Sequence, residues 1–355
     1  MGNFGGIERV TTIIANELAE REHVTVYSLS LSHNGPNAYP LSTKINQSFL
    51  FEQKCSMKRA LCNGALRKTV KYIKKNKIEV LIACGVIYFP LACIAAKLTG
   101  IKSVCWEHKS PFSKTEVALE KESRYIGAKL SSVNVLISET AFRYYNETYR
   151  SQNNWLIYNP AESNLFLGDS VYDTESCRFI SVGRLVYQKN YPLLLDVASR
   201  VLSVHQDWTW DIFGDGREYD FLKQRIEEIG LNGRIILKGT VSDLYDRYPS
   251  YSAIVMTSRW EGFPMVLIEG AAKGLPMISF DIPTGPNEII LDGVNGYLIR
   301  EYDADKMAEK IEEFIKHPDL REKMSVKSKE TSKRFCVENT VNKWMDLFAQ
   351  LCDYK

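Results

Sequence analysis

The sequence contains no apolar run long enough to cross a bilayer. The chain has 355 residues, of which 45% are hydrophobic and 25% charged, and its most apolar stretch, residues 80–96, contains Pro90. A membrane-spanning helix needs about 20 mostly apolar residues, so we expect a buried strand followed by a helix there. Low-complexity segments are also absent, which together with the apolar content excludes a disordered chain. The length predicts two domains.

The eight cysteines lack the spacing of a metal site or a disulfide framework. None of the eight forms a C-x-x-C pair, and several lie inside apolar runs. Structural zinc sites and small disulfide scaffolds use close, regular spacings, so we expect reduced, buried thiols in a cytoplasmic protein. The N-terminus also lacks the charged and then apolar segment of a secretory signal.

Aspartate is absent from the first half of the chain. Residues 1–168 carry 21 Lys and Arg against 13 Glu, a net charge of +8, whereas the remaining residues carry 24 basic against 30 acidic groups, a net charge of −6. The whole-chain charge of +2 conceals this division. A basic half joined to an acidic half predicts two domains with different partners. The acidic second half argues against nucleic acid as a partner, because binding to phosphates needs a basic surface.

Predicted strands alternate with predicted helices, which is typical of parallel sheets covered by helices. In the first half a single basic helix is predicted at Lys54–Asn76. Residues 155–169 show little periodicity and predict a linker. The predicted strands are Val24–Leu31, Val80–Ala83, Ser103–Trp106, Val133–Ile137, Arg178–Val182, Thr209–Phe213, Ile235–Lys238, Ala253–Met256 and Met277–Phe280.

These patterns predict an α/β fold with two Rossmann-like, doubly wound domains that face a cleft. We place the first domain at residues 1–165, the second at 166–333 and a terminal helix at 334–355. The chain opens on a glycine-rich turn that includes Gly5 and Gly6. An α/β domain normally places a strand before such a turn, so the first strand of domain 1 is expected ahead of Met1.

The segment Ser258–Gly270 has the features of an anion site. It follows a buried strand and opens a helix, with Pro264 at the favoured first helical position. The free N–H groups near Met265–Leu267 and the helix dipole attract a diphosphate. Glu261 and Glu269 could then bind hydroxyls at the two ends of a nucleotide sugar. The alternative is that Glu261 caps the helix and Glu269 is a solvated helix residue.

A second loop, Ser181–Asn190, follows the first strand of the second domain. It lies at the carboxyl end of that strand, where α/β sheets bind ligands. Arg184 and Lys189 place two cations in this loop, which suits a pyrophosphate. Two basic loop residues are more often simply solvated. This loop is a candidate anion site only because the other predicted anion site lies in the same domain.

The motifs follow one another in a specific order. They are G-R…K-N (Gly183–Asn190), F-G-D-G (Phe213–Gly216), S-R-x-E-G-F-P-M-V-x-x-E (Ser258–Glu269), G-P-x-E-I-I (Gly285–Ile290) and D-G-x-N-G (Asp292–Gly296). This order resembles the family 4 retaining glycosyltransferases with the GT-B fold. The resemblance is dense from Phe179 to Leu298 and thinner in the first half. The stretch Asp281–Ile290 is similar to bacterial enzymes of capsule, exopolysaccharide or O-antigen assembly.

The resemblance implies a retaining transfer of a hexose or N-acetylhexosamine from a nucleotide-diphospho sugar, in most family members UDP-linked. The acceptor would be lipid-linked or an oligosaccharide, bound by the first domain, while the second domain binds the donor. Arg184 and Lys189 would hold the diphosphate, Glu261 the sugar hydroxyls and Glu269 the ribose. The other implied donor contacts are Gly5, Gly6, Gly262, Phe263, Met265, Val266 and Leu267.

His108 matches a histidine that lies near the donor sugar in this family. It is one of five histidines, and a single histidine is usually structural. Its place in Trp106-Glu107-His108, directly after a predicted strand, sets it apart. We therefore group His108 with Glu261, Arg184 and Lys189 as candidate catalytic residues, and Glu107 is a less marked candidate.

We expect transfer without a metal or another cofactor. The one D-x-D string, Asp303-Ala-Asp305, precedes a helical pattern and is better explained as a helix N-cap with acids in the first turn. Charge on the departing diphosphate would instead be stabilised by Arg184, Lys189 and the helix terminus.

The basic segment Lys58–Lys77 has two interpretations. It is either an ordinary solvated helix face or a contact with anionic lipid, near a lipid-linked acceptor on the inner face of the cell membrane. Two other functions also remain open at this point, another GT-B enzyme such as a nucleotide-sugar epimerase and a non-catalytic sugar-binding protein.

Overall fold

The structure, a computed structural model, describes residues 5–33, 35–113, 118–168 and 171–352. The chain divides into two compact units. Unit 1 comprises the described residues of Met1–Pro160 and Val337–Lys355, and unit 2 is Ala161–Cys336. Both units are α/β with parallel strands, as the alternating pattern predicted.

Unit 1 holds two separate sheets within its described residues. Strands β1 and β2 pair in parallel, and β3, β4, β5 and β6 form a parallel four-stranded sheet in that order. The strand expected ahead of Met1 concerns residues outside this chain and stays a prediction. The elements are α1 (Gly6–Ala19), β1 (Tyr27–Ser32), β2 (Asn46–Phe51), α2 (Met57–Cys62), α3 (Ala65–Asn76), β3 (Val80–Cys84), α4 (Phe89–Thr99), β4 (Lys102–Glu107), α5 (Ala118–Leu130), β5 (Val133–Leu136), α6 (Glu139–Thr148) and β6 (Asn154–Leu156).

Unit 1 departs from the sequence analysis in two places. The single helix expected at Lys54–Asn76 is broken into α2 and α3, because Gly64 adopts a left-handed backbone with φ of +77°. Such a conformation suits glycine and interrupts a helix. Strand β2 was not predicted, since it begins with exposed polar residues and shows no alternation between buried and exposed positions.

Unit 2 is built on one parallel six-stranded sheet with the order β12-β11-β10-β7-β8-β9. Its core packs on the sheet and is rich in aromatic side chains, including Phe179, Trp210, Phe280 and Phe314. The elements are β7 (Arg178–Val182), α7 (Tyr191–Val204), β8 (Thr209–Phe213), α8 (Tyr219–Glu228), β9 (Ile235–Gly239), α9 (Leu244–Arg247), β10 (Ala253–Met256), α10 (Met265–Ala272), β11 (Met277–Asp281), α11 (Pro286–Ile289), β12 (Gly296–Arg300), α12 (Ala304–Lys316) and α13 (Pro318–Ser332).

The order of strands in unit 2 reverses between β7 and β10. From β7 the chain proceeds to β8 and β9 on one side, and it then returns to build β10, β11 and β12 on the other side. In open α/β sheets, ligands bind beyond the carboxyl ends of the two strands at such a reversal. The two loops singled out in the sequence follow these two strands.

The last helix, α14 (Val337–Cys352), belongs to unit 1. Its Trp344 is completely buried, and the centre of its ring lies 4.8 Å from that of Trp106 on β4. The chain therefore leaves unit 2 near Cys336 and contributes its final helix to the core of unit 1. None of the helices in the described part of the chain has the length and hydropathy needed to span a membrane.

Candidate active site

The two loops at the reversal point of unit 2 are bonded to each other. The backbone N–H of Arg259 donates to the carbonyl oxygen of Gln188 at 2.7 Å. The side-chain amide of Gln188 donates in turn to the carbonyl oxygen of Trp260 at 2.9 Å. Because neighbouring parallel strands end at the same edge of the sheet, two segments about 70 residues apart in the sequence become one surface.

Lys189 and Glu261 form an ion pair across these loops. The distance from Lys189 Nζ to Glu261 Oε1 is 2.7 Å, and the side chains are only 15% and 9% exposed. The hydroxyl of Thr284 also donates to the backbone carbonyl oxygen of Glu261. The Coulomb attraction within a pair that is largely shielded from water is stronger than within a surface pair. The site therefore holds one cation and one carboxylate in a fixed relation.

Arg184 differs from Lys189 in its surroundings. Its side chain is exposed, and within the described residues its guanidinium makes no ion pair or hydrogen bond. The loop that carries it is anchored by its backbone, since the N–H of Leu185 donates to the carbonyl oxygen of Asp215 at 2.9 Å. Arg184 is thus an exposed cation that is available to an anionic ligand.

Helix α10 begins at Met265, and Pro264 is its N-cap rather than its first residue. The prediction of Pro264 at the first helical position was therefore off by one residue. The N–H groups of a first helical turn have no acceptor within the helix and attract anions. The expectation of a free N–H at Leu267 was wrong, because this group donates to the carbonyl oxygen of Pro264 at 3.1 Å. Met265 and Val266 are half-buried at this end, while Leu267 and the Phe263 side chain lie in the interior. Phe263 therefore offers its backbone rather than its ring.

Glu269 is buried in α10, with only 1% of its surface exposed. The interpretation of Glu269 as a solvated helix residue was therefore wrong. The phenol of Tyr248 donates to its Oε2 at 3.4 Å. Tyr248 was missed in the sequence, because nothing in the sequence indicates that a tyrosine 21 residues earlier reaches this carboxylate.

The remaining sequence candidates lie in unit 1. Gly5 is the N-cap of α1 and has an extended backbone, and Gly6 is the first residue of that helix. His108 follows β4, is 8% exposed and packs its ring 4.3 Å from that of Trp106. Its Nε2 is buried and has no hydrogen-bond partner within the described part of unit 1. Burial lowers the pKa of His108 to about 3, so the imidazole is neutral at physiological pH.

The D-x-D string has a structural explanation. The Asp303 carboxylate accepts a hydrogen bond from the backbone N–H of Lys306 at 2.9 Å and so caps α12, as the sequence predicted. Asp305 pairs with Arg200 at the surface. Within the described residues of unit 2, neither of these carboxylates pairs with Lys189 or lies against Glu261.

Comparison with known proteins identifies the domain that carries the two loops. Residues 169–331, which fall within unit 2, match the family described as "Glycosyl transferases group 1". This segment is a group 1 glycosyltransferase domain. The chain is therefore a glycosyltransferase, as the order of its motifs implied.

Relatives and solved structures agree with this assignment. The chain is 29% identical to the amylovoran biosynthesis glycosyltransferase AmsD of Erwinia amylovora, over 98% of this chain and 97% of that protein. It is 28% identical to the lipopolysaccharide 1,6-galactosyltransferase of Escherichia coli K12, over 66% of this chain and 64% of that protein. The crystal structure of HepE from Anabaena in complex with UDP is 18% identical and aligns with a TM-score of 0.83 over 99% of this chain and 98% of that one. This likeness shows the GT-B fold.

Gly214 lets two loops of the glycosyltransferase meet. Its φ is +135°, and a Cβ at this position would overlap the carbonyl oxygen of Gly183. We expect Gly214→Ala to lower the free energy of unfolding by about 1–3 kcal/mol, because overpacking against a backbone cannot relax through a side chain. Transfer activity should also fall, since the loop that carries Arg184 must move. Urea unfolding and initial rates measure both effects.

Gly230→Ala is the matched control for this substitution. Gly230 also has a positive φ, +69°, but a Cβ there would meet open space. The Gly230→Ala variant should therefore lose only about 1 kcal/mol of unfolding free energy, from the strain of a left-handed backbone. Its rate of sugar transfer should be unchanged. Equal effects of both variants would contradict the steric argument.

The low pKa of His108 predicts a loss of stability in mild acid. The unfolded state binds a proton below a pKa near 6.5, whereas the folded state binds it only near 3, so the free energy of unfolding falls as the pH falls through this window. Between pH 7 and pH 5 this one group should reduce it by about 2 kcal/mol. Urea unfolding at both pH values should show that the free energy of unfolding of His108→Gln falls by about 2 kcal/mol less than that of the unaltered protein. An unchanged pH dependence would contradict the buried, neutral imidazole.

Proposed function

We propose that this glycosyltransferase moves a hexose or N-acetylhexosamine from a UDP-linked sugar to a lipid-linked or oligosaccharide acceptor, in the biosynthesis of a bacterial surface polysaccharide. The observation that carries the proposal is the shielded Lys189–Glu261 pair at the reversal point of the unit 2 sheet, next to the start of α10. The names of the relatives support the pathway, since one acts in amylovoran biosynthesis and another is a lipopolysaccharide galactosyltransferase. HepE, which shares the fold, was crystallised in complex with UDP, and this supports the nucleotide.

The donor diphosphate is assigned to the cations of the loop after β7. Arg184 is exposed and without a partner in the described part of unit 2. A phosphate can therefore accept its hydrogen bonds without displacing another protein group. Lys189 is engaged with Glu261 at 2.7 Å, and a diphosphate beside it would share the ammonium. The loop before α10 and the start of the helix add the backbone donors of Gly262, Phe263, Met265 and Val266. The Leu267 N–H already donates to the carbonyl oxygen of Pro264 at 3.1 Å, so Leu267 would contribute only once that bond is exchanged. Charge-assisted bonds of this kind are about twice as strong as neutral ones.

The two glutamates are assigned to the two ends of the donor. Glu261, with one oxygen on Lys189, would accept hydrogen bonds from hydroxyls of the transferred sugar. Glu269 would accept one from the ribose. Because Glu269 is only 1% exposed, a ribose can reach it only if the surrounding loops open. Gly5 and Gly6 are assigned to backbone contacts with the donor.

We propose that transfer retains the configuration of the anomeric carbon. The acceptor hydroxyl oxygen bonds to that carbon on the face from which the diphosphate leaves, while the bond from carbon to the β-phosphate oxygen breaks. The departing oxygen takes the proton of the acceptor hydroxyl. Arg184, Lys189 and the α10 terminus stabilise the charge that develops on the diphosphate. His108, a neutral imidazole, is proposed as a further catalytic residue near the sugar.

A donor screen tests the proposal. Release of nucleoside diphosphate is followed with UDP-glucose, UDP-galactose and their N-acetylamino counterparts, each with a lipid-diphosphate acceptor, and with GDP- and ADP-sugars as comparison. We expect turnover with one UDP-sugar, an unchanged rate in EDTA and an axial product linkage from an axial donor. A preference for another nucleotide, loss of activity in EDTA restored by Mn²⁺, or an inverted product would each overturn the corresponding part.

We further propose that unit 1 meets the anionic inner face of the membrane. Helices α2 and α3 carry no acidic residue. Their basic side chains are exposed, and apart from Lys68 they make no hydrogen bond or ion pair through these groups within the described residues. Each Lys or Arg near an anionic bilayer contributes about 1 kcal/mol. The basic surface consists of Lys58, Arg59, Arg67, Lys68, Lys71, Lys74, Lys75 and Lys77.

Charge removal from the basic surface tests membrane contact. The triple variant Lys71→Gln, Lys74→Gln and Lys75→Gln should weaken binding to phosphatidylglycerol vesicles about a hundredfold, since three contributions of about 1 kcal/mol are lost. Vesicle pelleting at low salt measures this. The matched control replaces three exposed lysines of unit 2 by glutamine and should bind like the unaltered protein; these are Lys223, Lys323 and Lys327. Binding that does not depend on lipid charge would contradict the contact.

A further inference from the structure

Glu107, the residue before His108, is the centre of a buried polar cluster in unit 1. Its Oε2 accepts a hydrogen bond from Arg124 Nε at 2.6 Å and another from the Tyr145 phenol at 3.0 Å. The side chains of Glu107 and Arg124 are each 1% exposed. Buried charges must be paired and hydrogen-bonded to be tolerated. This cluster therefore has one geometry that the surrounding core enforces.

The cluster holds the backbone on both sides of His108. The second carboxylate oxygen of Glu107, Oε1, accepts a hydrogen bond from the backbone N–H of Lys109 at 2.9 Å. The ammonium of Lys109 also pairs with Glu120, which lies on α5 together with Arg124. Both neighbours of His108 are thus tied to the same helix.

His108 depends on this support. Its Nε2 has no hydrogen-bond partner within the described part of unit 1, and its ring rests on Trp106 at a centroid distance of 4.3 Å. The position of the imidazole is therefore set by packing and by the backbone that Glu107 and Lys109 anchor. A buried nitrogen without a protein partner is a group that a ligand can satisfy.

We propose that Glu107, together with Arg124 and Tyr145, is a positioning residue that holds His108 for transfer. The proposal rests on the catalytic role proposed for His108. Glu107 does not act on substrate itself, because both of its oxygens already accept hydrogen bonds from protein donors and its side chain is 1% exposed. Displacing a catalytic group by about 1 Å can lower the rate by a factor of 100. A small shift of this cluster should therefore lower the rate of transfer.

Tyr145→Phe tests the proposal, because it removes one hydrogen bond to Glu107 and leaves the ion pair in place. The full-length variant should show a kcat about tenfold lower and an unchanged Kd for UDP. We expect less than the hundredfold loss that a displacement of about 1 Å can cause, because losing one hydrogen bond should move His108 by less than that. The imidazole signals of His108, followed by ¹⁵N NMR and assigned with His108→Gln, should shift. Ser151→Ala is the matched control. It removes a buried hydroxyl of unit 1 that bonds Asn134 and Asn154 rather than Glu107, and it should change neither quantity.

The outcomes separate this proposal from the proposed function. A fall in kcat together with shifted His108 signals, absent in Ser151→Ala, supports the positioning role. A fall in kcat with unmoved His108 signals, or unchanged kcat, overturns it. If His108→Gln itself transfers sugar at the normal rate, the catalytic role of His108 fails, and the positioning proposal falls with it. If UDP does not bind the unaltered protein, the donor assignment fails, and the NMR comparison still reports whether Glu107 orients the imidazole.

Discussion

Replacement of Glu261 by alanine should strongly reduce the rate of sugar transfer while leaving the protein folded. The substitution removes the carboxylate that we assign to the sugar hydroxyls, and it also releases Lys189, which Glu261 holds at 2.7 Å. Loss of one preorganised polar group in an active site typically costs a factor of 100–1,000 in kcat. We expect at least about a hundredfold, measured as initial rates of nucleoside diphosphate release with saturating donor.

A companion variant separates the two effects of this substitution. Lys189→Met leaves Glu261 in place without its cation, so it should weaken donor binding as well as turnover. Because the two groups act as a pair, the double variant should lose less than the product of the two single effects. UDP affinity by calorimetry and the rate of transfer, measured on all three variants, give the coupling.

Glu309→Ala is the control for the loss of a paired glutamate in unit 2. Glu309 is exposed and pairs with Lys306 on α12, and surface pairs contribute about 0–1 kcal/mol. It should transfer sugar at the normal rate. Normal transfer by Glu261→Ala would instead show that the site lies elsewhere.

Replacement of Arg124 by methionine should destabilise unit 1 by about 3–5 kcal/mol, the typical cost of leaving a buried charge without its partner. Glu107 would keep the Tyr145 and Lys109 hydrogen bonds but lose the cation at 2.6 Å. Water cannot replace it, since the carboxylate is 1% exposed. Urea unfolding of the variant and of the unaltered protein, followed by circular dichroism, reports the loss.

The double variant Glu107→Gln with Arg124→Met checks that charge is the cause. Two neutral side chains of similar size fill the same space, and such replacements are often close to neutral in stability. The double variant should therefore be more stable than Arg124→Met alone. If it is less stable, packing of the guanidinium stem rather than its charge stabilises unit 1.

Several features of this protein were predictable because they depend on local chemistry. The strands of unit 2 up to β11 were found, since buried parallel strands are continuous apolar runs between turn signals. The cap formed by Asp303 and the helix after Pro264 follow from the residues that favour helix starts. The motif order from Phe179 to Leu298 was sufficient to identify a glycosyltransferase, as the family match to residues 169–331 confirms.

Other features depend on contacts between distant parts of the chain. Strand β2 carries no alternating pattern, and its pairing with β1 makes it a strand. The break at Gly64 was missed because a glycine in a helical pattern is tolerated more often than it interrupts. The burial of Glu269 beside Tyr248 depends on how α10 packs.

The sequence by itself determined the fold class, the family and most of the candidate residues, because hydrophobic periodicity and short motifs are encoded within a few neighbouring positions. The tertiary structure decided which charges meet. Arg184 and Lys189 look equivalent in the sequence, yet Lys189 is paired with Glu261 while Arg184 is exposed. Glu107 looks like a possible reactant, yet Arg124 and Tyr145 enclose it. Ion pairing and burial depend on distance and water exclusion, and these exist only once the chain has folded.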